Sequence, residues 1–182
     1  MQDDALPKVY LAGPDIFCMD WPNMARSSID LCLQYGLQAL LPIPPELPSG
    51  PGVTEPGSRD LSAQIFGNCC TLLRQSQAVI ANLTPYLGSE PDSGTVIECA
   101  LAYSWGIPVF GYSNEPNHEK SLHVNQTEDG RNLCHNGRTW VWRENFGLSH
   151  NLMVHGVCCD IVNSLESALQ LASNHLNPHL IA

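Results

Sequence analysis

Two carboxylates near the middle of the chain are the residues best placed for covalent chemistry. The stretch EPDSGTVIECALAYSWG holds Glu98 among Val96, Ile97, Cys99, Ala100, Leu101 and Ala102, with Asp92 six residues earlier. A helix apolar on all sides is expected to be buried, and a carboxylate within it must find hydrogen-bond partners or be poised for reaction. Ser93 or Thr95 can cap this helix, and its N-terminal dipole favours anions within about the first turn. Asp92 lies just outside, where it can approach the same crevice. Two carboxylates at one crevice are the usual equipment for substitution at an anomeric carbon, one as nucleophile and one as acid/base. A purely structural arrangement is also open, with Asp92 as the N-terminal cap and Glu98 neutralised by an Arg or Lys across the sheet. Only eight Lys and Arg residues are available for that.

Other chemistries lack their residues. After the first apolar run, YLAGPDIF offers one Gly and a Pro where a dinucleotide site needs GxGxxG, and GxxxxGK[ST] occurs nowhere. Seven histidines include His150 with His155 and His175 with His179, but no acidic or cysteine ligand stands at a supporting spacing. Neither a metal, a triphosphate nor NAD is expected. Eight cysteines (18, 32, 69, 70, 99, 134, 158 and 159) form two adjacent pairs without a CxxC, in a chain too long to need staples. They are read as reduced, mostly buried thiols. Apolar residues make up 43% and charged ones 14%, a globular balance, and the net charge of −10 repels phosphate backbones and anionic membranes. A nucleic-acid polymer is therefore excluded as a partner. No apolar stretch nears the ~18 residues of a membrane span, and MQDDALPK is acidic where a signal peptide is basic, so a cytoplasmic protein is predicted.

The elements that must position the carboxylates alternate. KVYLAG (8–13) ends in Gly-Pro and predicts a buried strand. A helix over 22–35 stops at Gly36, a strand over 37–43 follows, and 44–58 holds too much Pro and Gly for a regular element. Further helices are predicted over 60–75, 95–105 and 164–175, the last capped by Ser164, and further strands over 78–83, 108–112 and 157–162. Near-continuous apolar strands linked by helices imply a parallel sheet covered on both faces, an α/β doubly wound sandwich of flavodoxin or Rossmann type. The length, 182 residues, is that of a single domain. Residues 114–150 break the alternation, with His118, His123, His135, Trp140 and Trp142 in a long polar stretch, and read as a lid or interface arm. In such sheets ligands bind beyond the carboxyl ends of the strands.

Three segments together, YLAGPDIF, AVIANLTPYLGSEPDSGTVIECALAYSWGIPVFGY and FGLSHNLMVHG, resemble the nucleoside 2-deoxyribosyltransferases over about residues 8–174. The resemblance implies a flavodoxin-like fold with a five-stranded parallel sheet. It also implies an enzyme of nucleoside salvage that moves the 2-deoxyribosyl group of 2'-deoxynucleosides between free nucleobases with retention, without a cofactor. Carried over residue by residue, Glu98 resembles the nucleophile, Asp92 the residue that handles the base's proton, and Tyr10 the tyrosine that holds the nucleophile. Asn151 and Met153 match a pair inserted by the neighbouring subunit of a homo-oligomer, the Asn reaching the sugar 5-hydroxyl. Phe17 is either a wall for the base or a core aromatic, and Gly13 and Gly94 complete the substrate contacts. Gln77 and Cys69 depart from the family, where many relatives carry Asp and an Asp or Asn; Asn68, one position away, is expected to replace the second. A related hydrolase of nucleosides or nucleoside 5-monophosphates is the nearest alternative, but the monophosphate enzyme would need phosphate contacts and gains nothing from a base-handling Asp92. A non-catalytic nucleoside-sensing module would have no use for Glu98.

Overall fold

Successive side chains of a strand point to opposite faces, so the near-continuous apolar runs within KVYLA and AVIAN require cover on both sides. The computed structural model describes residues 5–44, 59–114, 124–127, 129, 131–135, 138–144 and 146–178. In chain order it contains β1 (Lys8–Ala12), a 3-10 turn (Pro14–Phe17), α1 (Trp21–Gln34), β2 (Gln38–Leu40), α2 (Arg59–Gln75) and β3 (Ala78–Asn82). After these come α3 (Ser93–Ser104), β4 (Val109–Tyr112), β5 (Val124–Gln126), β6 (Asn132–His135), β7 (Trp140–Arg143), α4 (Leu152–Val157), β8 (Asp160–Val162) and α5 (Leu165–Leu176).

Five strands form one parallel sheet in the order β2-β1-β3-β4-β8. This is the flavodoxin-like order, and the chain reverses its direction of growth between β1 and β3. Val9, Ile80, Phe110 and Tyr112 pack against Cys32, Leu37, Ala168, Leu169 and Ala172 on the α1/α5 face. Tyr10, Ala12, Val79, Ala81 and Val109 pack against Leu73, Cys99, Ala102 and Val154 on the α2/α3/α4 face. Alternation along β1 thus sends Tyr10 toward α3, the helix that carries Glu98.

Several expectations need correction. Residues 157–162 do not form one strand: Val157 ends α4 and only Asp160–Val162 pair with the sheet. The cause is Asn151, whose Oδ1 accepts from Met153 N–H at 2.9 Å and caps a short helix first. The 114–150 stretch holds regular structure of its own, since its described part folds into an antiparallel sheet, β5-β6-β7, apart from the parallel one. His118 and His123, like His179 and the Pro/Gly-rich loop from 45 to 58, lie outside the described residues. Helix α3 is not buried on all sides, because Ile97 and Tyr103 are 56% and 61% exposed. Of the seven cysteines whose side chains are described, all free, only Cys32 and Cys99 are buried, so these thiols are not mostly buried. The cap from Ser164 is present, its Oγ accepting from Ser167 N–H at 3.2 Å. Among the described residues no helix is long and apolar enough to cross a membrane.

Candidate active site

Beyond the carboxyl ends of β1 and β3 lies a cleft of about 120 Å³. Gly13, Ile16 and Phe17 from the β1 loop, Pro42 and Ile43 after β2, Ile65 and Cys69 of α2, and Asp92, Gly94, Thr95 and Glu98 of α3 line it. A strand reversal leaves such a crevice because the loops of β1 and β3 depart to opposite sides.

Glu98 is held by Tyr10, which is fully buried and whose hydroxyl donates to Glu98 Oε1 at 2.6 Å. The partner is a neutral phenol and not the Arg or Lys that a structural role would use. Burial is the main cause that pushes the Glu98 carboxyl up to about 7; the Tyr10 hydrogen bond opposes this, and the Asp92 charge adds to it. Burial, and then the Glu98 carboxylate beside it, push the Tyr10 phenol far above its ordinary value, so it stays a donor.

Asp92, not Ser93 or Thr95, caps α3. Its Oδ2 accepts from Thr95 N–H at 2.9 Å and from Thr95 Oγ1 at 3.1 Å. The cap does not consume the carboxylate, since Oδ1 keeps its lone pairs for a ligand in the cleft. Gly94 makes room for it: a Cβ there would stand 3.0 Å from Asp92 Oδ2. Gly13 is tighter still, a Cβ meeting Asn82 Cβ and Asp15 Oδ2 at 2.8 Å each.

Phe17 lines the cleft, 40% exposed, with its ring stacked on Tyr86. It is thus no core aromatic. On α2 the helical phase turns Cys69 to the cleft, whereas Asn68 is exposed and absent from the wall, so Asn68 does not replace the family's Asp or Asn there. Burial pushes the Cys69 thiol up, the Tyr10 hydroxyl pulls it down and the Glu98 charge raises it further, which places all three groups in one neighbourhood. Gln77 lies elsewhere, its Oε1 accepting from Lys8 N–H at 2.6 Å.

Asn151 and Met153 do not line the cleft of their own chain. They stand at the start of α4, with Met153 68% exposed. Glu144 follows β7 and holds this start, accepting from Leu152 N–H at 2.6 Å and from Asn151 Nδ2 at 3.2 Å. The neighbouring His150 is buried, with Nε2 3.0 Å from the Leu83 carbonyl. Sequence reasoning passed over Tyr86 and Glu144; an aromatic inside the turn-rich TPYLGSEP and an acid at the end of WVWRE were the available signals.

A family model described as nucleoside 2-deoxyribosyltransferase matches residues 9–153. Among solved structures, the 2-desoxiribosyltransferase from Leishmania mexicana is 26% identical with a TM-score of 0.66, over 93% of this chain and 98% of that one. A conserved protein from Enterococcus faecalis V583 shares the fold at 20% identity and a TM-score of 0.54, covering 91% of this chain and 96% of that one. The 2-deoxyribosyltransferase of Bacillus psychrosaccharolyticus matches 58% of this chain and 72% of its own at 22% identity and a TM-score of 0.46. No curated protein sequence matches.

Proposed function

Because the chain belongs to the nucleoside 2-deoxyribosyltransferase family, we propose that it exchanges the nucleobase of 2'-deoxynucleosides through a covalent deoxyribosyl–Glu98 intermediate with retention. The observation that carries this reading is the 2.6 Å bond from Tyr10 to Glu98 in the cleft that Asp92 also lines.

The Tyr10 hydroxyl fixes one carboxylate oxygen of Glu98, leaving the other to attack the anomeric carbon. The bond from that carbon to the base nitrogen breaks as the carbon–oxygen bond to Glu98 forms, and Asp92 delivers a proton to the departing base. A second base then attacks the same carbon, returns a proton to Asp92 and releases Glu98. Two inversions at one carbon give net retention. Electrons and charge balance without an oxidant, a metal or a carrier. Positive charge develops on the sugar in the transition state, beside a carboxylate that burial leaves poorly solvated, so attraction between them is strongest at that point.

Asn151 and Met153 would complete the cleft of a neighbouring protomer. Supporting this are their absence from their own cleft, the exposure of Met153, and the hold that Glu144 and His150 keep on that segment.

The test is to mix the protein with a 2'-deoxynucleoside and a second free base and to look for the new nucleoside by chromatography. Exchange is expected in the wild type and its loss in Glu98→Gln, with the fold retained by circular dichroism. Release of free sugar alone would favour the hydrolase, and binding without turnover a sensing module. A Glu98→Gln variant within tenfold of wild type would overturn the assignment of the nucleophile.

A further inference from the structure

Phe17 meets the cleft, and Tyr86 backs it without lining the cleft itself: the ring centroids are 5.7 Å apart and the planes 25° from parallel. Both rings stand on tightly held backbone. Phe17 closes the 3-10 turn Pro14–Phe17, whose Asp15 carboxylate accepts from Asn82 Nδ2 with both oxygens, at 3.1 and 3.0 Å. Asn82 Oδ1 accepts in turn from Thr84 N–H at 3.1 Å, which ties the end of β3 and the loop after it to the same clasp. Tyr86 opens a turn closed by its own N–H donating to the Glu90 carbonyl at 3.0 Å. That turn holds Leu87 at φ 48°, with its side chain 91% exposed.

A leucine in the left-handed region is strained, and such strain persists only where the surroundings over-determine the backbone. The exposed Leu87 side chain gains little burial in return. What the turn does achieve is the placement of the Tyr86 ring against Phe17.

We propose that Tyr86 is a specificity-determining positioning residue, which fixes Phe17 as a rigid wall for the planar base of the substrate. The inference rests on the reading of the cleft as a nucleoside site. A half-exposed phenylalanine without a backing ring samples several rotamers, and a ligand that stacks on it must first freeze them. With Tyr86 behind it, Phe17 is already ordered, and offset stacking extends from Tyr86 through Phe17 to the base. Because the base is stacked in the ground state as well as the transition state, the contribution belongs to KM more than to kcat.

The experiment measures exchange kinetics for the wild type, Tyr86→Ala and Tyr86→Phe, with 2'-deoxynucleosides of one-ring and two-ring bases as donors. Tyr86→Ala should raise KM by about threefold to tenfold, the worth of one aromatic pair, with kcat within about twofold. The rise should be larger for the two-ring base, and Tyr86→Phe should restore the wild-type KM because the ring and not the hydroxyl does the backing. If Tyr86→Ala does not fold, Tyr86→Leu keeps apolar bulk without a π face and should show the same rise. An unchanged KM in either folded variant, or a Tyr86→Phe variant as impaired as Tyr86→Ala, would overturn the proposal. Failure of the wild type to exchange bases at all would instead overturn the reading of the site.

Discussion

On the proposed mechanism Glu98 must be unprotonated to attack, and burial places that step at about 7 instead of its ordinary 4.5. The kcat/KM of exchange should therefore rise about tenfold per pH unit on the acid side of pH 7, and a pH–rate profile checks this. The same shift marks stability with the opposite sense. Between 4.5 and about 7 the folded chain holds a proton that the unfolded chain has released, so stability should fall as pH rises through that window. Glu98→Gln carries no such proton, so the difference between its denaturant midpoints at pH 5 and pH 8 should be smaller than that of the wild type. Asp92 illustrates how one side chain serves two purposes at this scale. Its Oδ2 satisfies the N-terminus of α3 through Thr95, and that bond fixes the carboxyl group at the wall of the cleft.

The turn after β1 packs against the end of β3 so closely that only glycine fits at position 13. Gly13→Ala would push a methyl group to 2.8 Å from Asn82 Cβ, an atom rooted in the backbone of β3 with no freedom to swing aside. The variant should lose about 1–3 kcal/mol of stability, read by denaturant melting, and bind nucleoside more weakly because Phe17 shifts with the turn. The main elements are legible because their patterns are local: AVIAN is apolar on both faces and must be a central strand, and Ser164 precedes an amphipathic run. The hairpin of β6 and β7 was harder to see in a stretch read as a lid, although Asn136-Gly137 between two short runs is a hairpin signal. Helix α4 was missed because its six residues run directly into a strand of the same apolar character. Within the site, Glu98, Asp92 and Tyr10 were readable from residue type and family pattern. The choice between Asn68 and Cys69 was not, since adjacent helical residues point about 100° apart and only the packed phase of α2 decides which one faces the cleft.

For the molecule as a whole, large apolar side chains remain in water on one chain alone: Phe66, Ile97, Tyr103 and Met153 are all more than half exposed. That is the kind of surface another protomer covers, and it supports a site shared between chains. Mixing inactive Glu98→Ala with inactive Asn151→Ala should regenerate activity, since a mixed dimer has one site with both wild-type residues; random pairing restores at most about a quarter of the sites. If subunits exchange and no activity returns, the shared site is wrong. The parity of β1 has a consequence for the folded population. Tyr10 faces α3 only because the strand pairs as Tyr10 with Val79 and Leu40. A slip of one residue would keep a full ladder of hydrogen bonds yet send the phenol to the α1/α5 side, giving a molecule that looks native by its helix content and lacks the bond from Tyr10 to Glu98. The space at Gly13 guards against this error, because a slipped strand would bring Ala12 or Pro14 to a place where Asn82 admits no Cβ. Specific activity in this protein is therefore also a count of correctly threaded chains.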